Sequence, residues 1–103
     1  MRILMYIFLG TRGGQNRLKI VRLVKGEAMN ANKIASKLSL DYKTIQYHLK
    51  VLQENDILES DPPDAKYGTM YFLSPKMEQN FFKLEESLAK VVKDIAPTGG
   101  DAQ

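Results

Sequence analysis

The chain has 103 residues and a mass of 11.7 kDa, enough for one domain with a modest core and too few for most multidomain enzymes. Its 44% hydrophobic and 26% charged residues match the average globular protein and predict a folded chain. The sequence has no cysteine and one histidine, which excludes disulfides and thiolate chemistry and leaves little for metal binding. No catalytic set or nucleotide-binding loop emerges. We therefore expect a protein that is not an enzyme and needs no metal or cofactor.

The net charge of +3 is mild, but it is unevenly distributed along the chain. Residues 1–26 contain six basic residues and no acid, whereas the remainder is slightly acidic. A block of one sign predicts a surface that faces an anionic partner, and Arg12 and Arg17 are its candidate contacts. The alternative is a solvated helix face with no partner.

The chain begins with an apolar run, Ile3 to Leu9. Seven residues fall well short of the roughly 20 that span a bilayer, and no small-residue cleavage pattern of a signal peptide follows. We expect no membrane association and a cytoplasmic location. Since β-branched and aromatic residues dominate the run, it predicts a buried N-terminal strand.

Three short helices are predicted next. Apolar residues recur at helical spacing over 15–25, and a glycine follows. Asn30 has the position of an N-cap for a second helix that ends at Leu38. After a tight break, Asp41 caps a third helix that runs to about Asn55.

A hairpin is predicted after the third helix. Residues 57–61 and 67–73 are rich in strand-forming side chains, and the segment 62–66 between them contains two prolines that cannot continue a ladder. The sequence therefore predicts two strands joined by a stiff tip.

The last predicted element is a long helix. Ser74 followed by Pro75 is a typical helix start, because the hydroxyl caps and proline is tolerated at the first helical position. No breaker follows until Pro97, so we predict a helix over about 75–96 within a single domain, 1–96. The small, polar residues 97–103 are predicted to form a disordered tail.

Two short helices separated by a tight break and followed by a hairpin form the order of a winged helix-turn-helix. Ala35 is placed where the two helices cross closely, and Leu40 fills the turn. The remaining apolar positions also fit, namely Ile34, Leu38, Ile45 and Leu49. The predicted fold is mainly α with a small β-hairpin wing (α+β), a winged helix-turn-helix with an N-terminal strand and a long C-terminal dimerisation helix.

The residues of this region resemble a known family. LDYKTIQYHLKVL at 40–52 and NDIL at 55–58 are similar to the recognition helix and first wing strand of ArsR-like winged-helix transcriptional regulators, especially archaeal forms. Residues 17–24 resemble their first core helix and 67–75 their second wing strand. The resemblance implies DNA binding. Metal sensing is not expected, since the chain lacks the cysteines, and the histidines after His48, that metal-sensing members would use.

The outer face of the third helix is the candidate DNA-reading surface. Opposite the apolar stripe, glutamine can pair with adenine, lysine can donate to guanine or phosphate, and threonine or tyrosine can contact phosphate or a thymine methyl group. The wing tip carries Lys66 as its one base, with Asp61 and Asp64 beside it, and this is a weak basis for minor-groove reading. The lone histidine, His48, is expected to be a packed core residue. The predicted DNA-binding residues are Tyr42, Lys43, Thr44, Gln46, Tyr47, Lys50, Lys66, Arg12 and Arg17.

The long last helix carries a heptad seam, which predicts a partner helix. We expect this seam to form a homodimer interface, while Phe82, which points off the seam, covers the winged domain. The alternative is that the seam itself covers the domain. The predicted interface residues are Met77, Phe81, Leu84, Leu88, Val91 and Ile95.

The leading hypothesis is a dimeric, sequence-specific regulator of transcription that places helix 42–55 in the major groove of double-stranded DNA, at a palindromic site. Two alternatives stay open: a winged-helix module for protein–protein interaction in the transcription machinery, and a non-specific architectural DNA-binding protein. Nothing in the sequence indicates whether a small-molecule effector is sensed.

Overall fold

The computed structural model describes residues 5–62 and 68–95, with side chains up to residue 91. The predicted tail at 97–103, Lys66 and most of the wing tip lie outside these ranges. The described helices are α1 (Gly14–Gly26), α2 (Ala31–Leu38), α3 (Tyr42–Glu54) and α4 (Pro75–Ile95), and the described strands are β1 (Met29–Asn30), β2 (Leu58–Asp61) and β3 (Met70–Leu73).

Side-chain caps fix the starts of α2 and α3. The Asn30 side chain accepts a hydrogen bond from the Lys33 backbone N–H at 2.8 Å. Asp41 accepts one from the Thr44 backbone N–H at 3.1 Å. Both predicted caps are confirmed. Between the helices Ser39 is left-handed, with φ of 56°, and the Leu40 N–H donates to the Ala35 carbonyl at 3.0 Å, which makes the turn tight.

The strands form an antiparallel sheet in the order β1-β3-β2. The predicted hairpin is confirmed, with Leu58 opposite Leu73. β1 was not predicted, because two residues are too few to show an alternating pattern. It pairs Met29 with Tyr71 and so attaches the α1–α2 connection to the wing.

Ser74 joins the wing to α4. Its hydroxyl accepts from the Met77 backbone N–H at 3.0 Å and donates to the Asp56 carbonyl at 2.7 Å. Its own backbone N–H donates to the Ile57 carbonyl at 2.9 Å. The predicted helix start is confirmed, and it is anchored to the segment between α3 and β2.

The predicted N-terminal strand is wrong. Residues Tyr6–Gly10 form a single π-helical turn, called here the N-terminal turn. The neighbours Ile7 and Phe8 are both buried, whereas the flanking Tyr6 and Leu9 are both exposed. A strand would place consecutive side chains on opposite faces. The turn packs tightly on α1, where a Cβ at Gly14 would lie 2.3 Å from the Phe8 carbonyl oxygen.

The predicted use of the α4 seam is also wrong. Met77, Leu84 and Leu88 are 2%, 0% and 4% exposed and belong to the core of the single chain, so they cannot face a second subunit. Phe82, the residue expected to cover the domain, is 77% exposed. The seam therefore covers the winged domain.

The other described seam residues, Phe81 and Val91, are only half-buried. Phe81 is half-buried against the core, and the Lys25 ammonium lies 5.6 Å from the centre of its ring. Val91 is half-buried, and the Ile95 side chain lies outside the described residues.

Ion pairs hold α4 against α1. The Arg22 guanidinium donates to both carboxylate oxygens of Glu85 at 2.7 Å, and this hydrogen bonding lowers the pKa of Glu85 and raises the pKa of Arg22. Lys25 donates to Glu78 at 3.2 Å. These exposed pairs orient α4, while the buried seam supplies most of the packing energy. Within the described ranges no helix is both long and apolar enough to span a bilayer.

Candidate DNA-binding surface

The two faces of α3 differ sharply in exposure. Ile45, Leu49 and Leu52 are at most 1% exposed and anchor the helix to the core. The opposite face is open to solvent and includes Tyr47, which is 61% exposed. The predicted residues on this outer face are Lys43, Gln46, Tyr47 and Lys50, with Tyr42 at its edge.

Thr44 lies differently from its neighbours. It is half-buried, and its hydroxyl donates to the Asp41 carboxylate at 2.6 Å. This hydrogen bond and the one from the Thr44 backbone N–H lower the pKa of Asp41. The Thr44 hydroxyl hydrogen is therefore used within the cap and is not directed toward a DNA phosphate.

An open cleft of about 600 Å³ adjoins the outer face of α3. One wall carries Lys43, Thr44 and Tyr47 of α3, and the other carries Arg12 from the loop before α1 and Asn16 from its first turn. His48 and Gly13 also line it. The predicted contacts Arg12 and Lys43 thus share one cleft, although 31 residues separate them in the chain.

Arg17 is buried and does not lie on a surface that DNA could contact. It is 3% exposed, and its guanidinium donates to the carbonyls of Ile7 at 3.3 Å and Arg12 at 3.2 Å. It also donates to the Thr11 hydroxyl and to Nδ1 of His48, the latter at 3.1 Å. The prediction that Arg17 contacts DNA is therefore wrong, since the residue ties the N-terminal turn to α3.

His48 is 4% exposed, as expected of a packed residue, but its ring is also a hydrogen-bond partner. A guanidinium can only donate, so Nδ1 accepts from Arg17 and the neutral ring carries its proton on Nε2. Burial, and secondly the charge of Arg17, lower the pKa of His48. The neutral ring is therefore the form present near pH 7.

No sequence pattern predicts this hydrogen-bond network. Arg17 and His48 lie 31 residues apart, and the basic block made Arg17 look like one more surface cation. Asn16 was also missed, because one asparagine at the start of a helix has no distinguishing spacing. Among the residues the structure describes, no group of three or more histidine, aspartate or glutamate side chains is arranged to hold a metal ion.

The fold and this surface together define a winged helix-turn-helix protein. α2 and α3 form the helix-turn-helix, and β2 and β3 form the base of the wing. Residues 15–61, from the first turn of α1 to the end of β2, match a family model described as a helix-turn-helix domain. The match supports a DNA-binding protein of the transcription-regulator type. A search of curated proteins found no match to the chain.

Proposed function

We propose that this protein is a sequence-specific regulator of transcription, of the ArsR-like type found in archaea, that inserts α3 into the major groove of double-stranded DNA. The observation that carries the proposal is the outer face of α3, where exposed amide, ammonium and aromatic groups stand opposite a fully buried stripe. Buried anchoring on one side holds the other side rigidly enough to read base edges.

The side chains of this face divide by chemistry. Gln46 and Lys50 would read bases, since an amide can pair with adenine and an ammonium can donate to guanine. Lys43, Tyr47 and Arg12 would position the protein on phosphates. Tyr42 at the edge of the face and Lys66 of the wing are further proposed contacts. The protein would act in the cytoplasm, where it would meet the chromosome.

Selection of binding sites from random duplex DNA, at stated salt concentrations, tests this function. We expect an enriched motif that is bound far more tightly than random duplex. Gln46→Ala and Lys50→Ala should each cost about 1–3 kcal/mol of discrimination at particular base pairs. Lys83→Ala, which removes an exposed lysine of α4, is the matched control and should leave the motif unchanged.

Two other results would replace the proposal. Equal affinity for every duplex would indicate an architectural DNA-binding protein. No salt-sensitive DNA binding, together with a stable protein complex lost in Tyr47→Ala, would indicate a protein-interaction module. The exposure of Tyr47 and Tyr42, at 61% and 37%, is the observation that favours the module, because exposed aromatic side chains are enriched at protein interfaces.

We also propose that the protein acts as a homodimer, through the exposed face of α4 around Phe82, called here the outer stripe of α4, and not through its buried seam. Phe82 supports this, because it is a large apolar side chain, 77% exposed, on a helix of 21 residues. A two-fold dimer would present two copies of α3 about 34–36 Å apart, one turn of B-DNA, and would prefer a palindromic site.

A further inference from the structure

We infer that the cleft between α3 and the N-terminal end of α1 is a binding site for one phosphodiester of the DNA backbone. The inference rests on the proposed function and adds to it a defined contact, with Arg12 and Lys43 supplying charge and His48 supplying a directed hydrogen bond. None of its parts belongs to the wing.

The cleft has cations on both walls, and no acid among the described residues forms an ion pair with them. Arg12 on one wall and Lys43 on the other have no carboxylate within 4.0 Å among the described residues, unlike Arg22, Lys25 and Lys33. The carboxylate of Asp41 keeps its negative charge, but it accepts the hydroxyl and backbone N–H of Thr44 and forms no ion pair with Arg12 or Lys43 within the described chain. The cleft therefore offers two unpaired cations to one anion.

A third positive charge lies beneath the cleft. Every acceptor of the Arg17 guanidinium within the described chain is uncharged: two carbonyls, a hydroxyl and an imidazole nitrogen. Buried charges are usually paired with an opposite charge, and poor screening in the interior extends their field. Two of the acceptors, the Arg12 carbonyl and the His48 ring, belong to residues of the cleft wall. A phosphate in the cleft would provide the missing counter-charge.

His48 adds a hydrogen-bond donor of defined direction to the positive charge of the cleft. Because Arg17 occupies Nδ1, the proton of the neutral ring is on Nε2, and Nε2 has no hydrogen-bond partner within the part of the chain that the structure describes. The ring lines the cleft. It therefore presents an N–H donor of fixed position to an acceptor in the cleft, as phosphate oxygens require.

The geometry favours a DNA backbone over a free anion. The cleft is open among the described residues, and its volume of about 600 Å³ is far larger than one phosphate ion. Its α3 wall includes Lys43 and Tyr47, which also belong to the outer face of α3 that carries Gln46 and Lys50. A strand whose bases contact Gln46 and Lys50 would thus pass the cleft with its backbone.

The test compares salt dependence of DNA binding between two variants that remove the same charge. Arg12→Gln removes a cation of the cleft, and Lys19→Gln removes an exposed cation of α1 that does not line it. A lost phosphate contact should reduce the slope of log K against log salt by about 0.9 to 1. We expect this change for Arg12→Gln, with an unchanged sequence motif, and no change for Lys19→Gln.

Each outcome has a distinct meaning. If the wild-type protein binds DNA specifically but the two variants have equal salt-dependence slopes, the phosphate-binding site would be overturned and the proposed function would remain intact. Absence of salt-sensitive binding by the wild type would overturn both. Saturable binding of inorganic phosphate that Arg12→Gln abolishes, together with equal DNA-binding salt slopes for the two variants, would assign the cleft to a free anion and overturn the backbone contact.

A second pair of variants tests the His48 donor separately. His48→Asn keeps an acceptor near the position of Nδ1 but removes the donor at Nε2, whereas His48→Gln keeps a donor near Nε2. We expect weaker DNA binding for His48→Asn than for His48→Gln, with the salt slope of both unchanged, because a neutral donor releases no counterion. Equal losses in two variants that fold would show that the ring only supports the fold.

Discussion

Arg17 shows how one buried side chain can connect segments that are distant in the chain. Its nitrogens bond to the N-terminal turn, to the loop before α1 and to α3. Hydrogen bonds from a charged group are worth about 1.5–3 kcal/mol each in favourable cases, so these contacts fix the position of the loop against α3. The position of Arg12 in the cleft follows from them.

The stability of the protein should depend on pH through His48. Its pKa in the folded protein lies below the ordinary value of 6.5, so the unfolded chain takes up a proton first as the pH falls. The free energy of unfolding should therefore decrease from about pH 6.5 downward, until the folded-state pKa is passed. Urea unfolding between pH 7.5 and 5 measures this.

His48→Asn is the control for that measurement, because it removes the titrating ring, and its stability should vary less over the same range. The groups that face the ring are the cations Arg17, Arg12 and Lys43 and the ring of Tyr47. The lowered pKa values of Asp41 and Glu85 affect stability only below about pH 4.5, outside this window. Parallel curves for the wild type and His48→Asn would contradict the assignment to His48.

Thr69 carries a buried hydroxyl without a hydrogen-bond partner among the described residues. The residue is 1% exposed, and an unpaired buried polar group costs about 1–3 kcal/mol. We expect Thr69→Val, which keeps the branched shape, to raise the free energy of unfolding by about 1 kcal/mol in chemical denaturation. A loss of stability would contradict the unpaired state of the hydroxyl.

At the scale of the elements, local chemistry was enough to predict α2, α3, α4 and the hairpin. A cap or a proline acts within one turn of helix, so Asn30, Asp41 and Ser74 mark their helices without knowledge of the fold. The N-terminal turn is different. Its apolar residues suit a strand or a buried helix, and packing against Gly14 decides between them. β1 exists only because β3 lies beside it.

The cap of α2 can be tested directly. Asn30→Ala removes the acceptor for the Lys33 N–H and should reduce the free energy of unfolding by about 1 kcal/mol, measured by thermal or urea unfolding. Asn32→Ala changes an exposed asparagine inside the same helix and should be neutral or slightly stabilising, since alanine favours helix. Equal effects of the two substitutions would show that the cap contributes nothing beyond helix propensity.

The spacing of the α4 seam does not predict which surface its apolar face packs against. Residues spaced by three and four show that one helix face is apolar, but the same spacing serves a partner subunit or the chain's own core. Here α1 and the wing occupy that face, and the Arg22–Glu85 pair orients it. Only the three-dimensional positions of Met77, Leu84 and Leu88 show that the seam packs against the chain's own core.

For the whole molecule, the proposed homodimer can be tested at Phe82. Phe82→Glu introduces a charge into the outer stripe of α4 without touching the core and should shift the protein toward monomer, as measured by sedimentation equilibrium over a range of concentrations. Lys83→Glu, at the neighbouring exposed position, is the control and should leave the association unchanged. A wild-type protein that is monomeric throughout would contradict the dimer.

The candidate site follows the same division between local and distant information. The outer face of α3 could be predicted because side chains on one face of a helix recur with a fixed period. Lys43, Gln46, Tyr47 and Lys50 lie on the exposed face that this period predicts. The cleft could not be predicted, since it arises from the approach of Arg12 to Lys43. The burial of Arg17, within the same basic block as Arg12, shows that charge alone does not identify a surface contact.

The close approach of Gly13 to His48 has a consequence for how the sequence can vary. A Cβ at position 13 would lie 2.7 Å from Cε1 of the imidazole, and the backbone there has φ of 85°. Position 13 is therefore restricted in two ways, because the left-handed backbone strains any residue other than glycine and because His48 leaves no room for a Cβ. A smaller side chain at 48 would remove only the second restriction. In a library randomised at both positions, functional clones should therefore keep glycine at 13 even where histidine at 48 has been replaced.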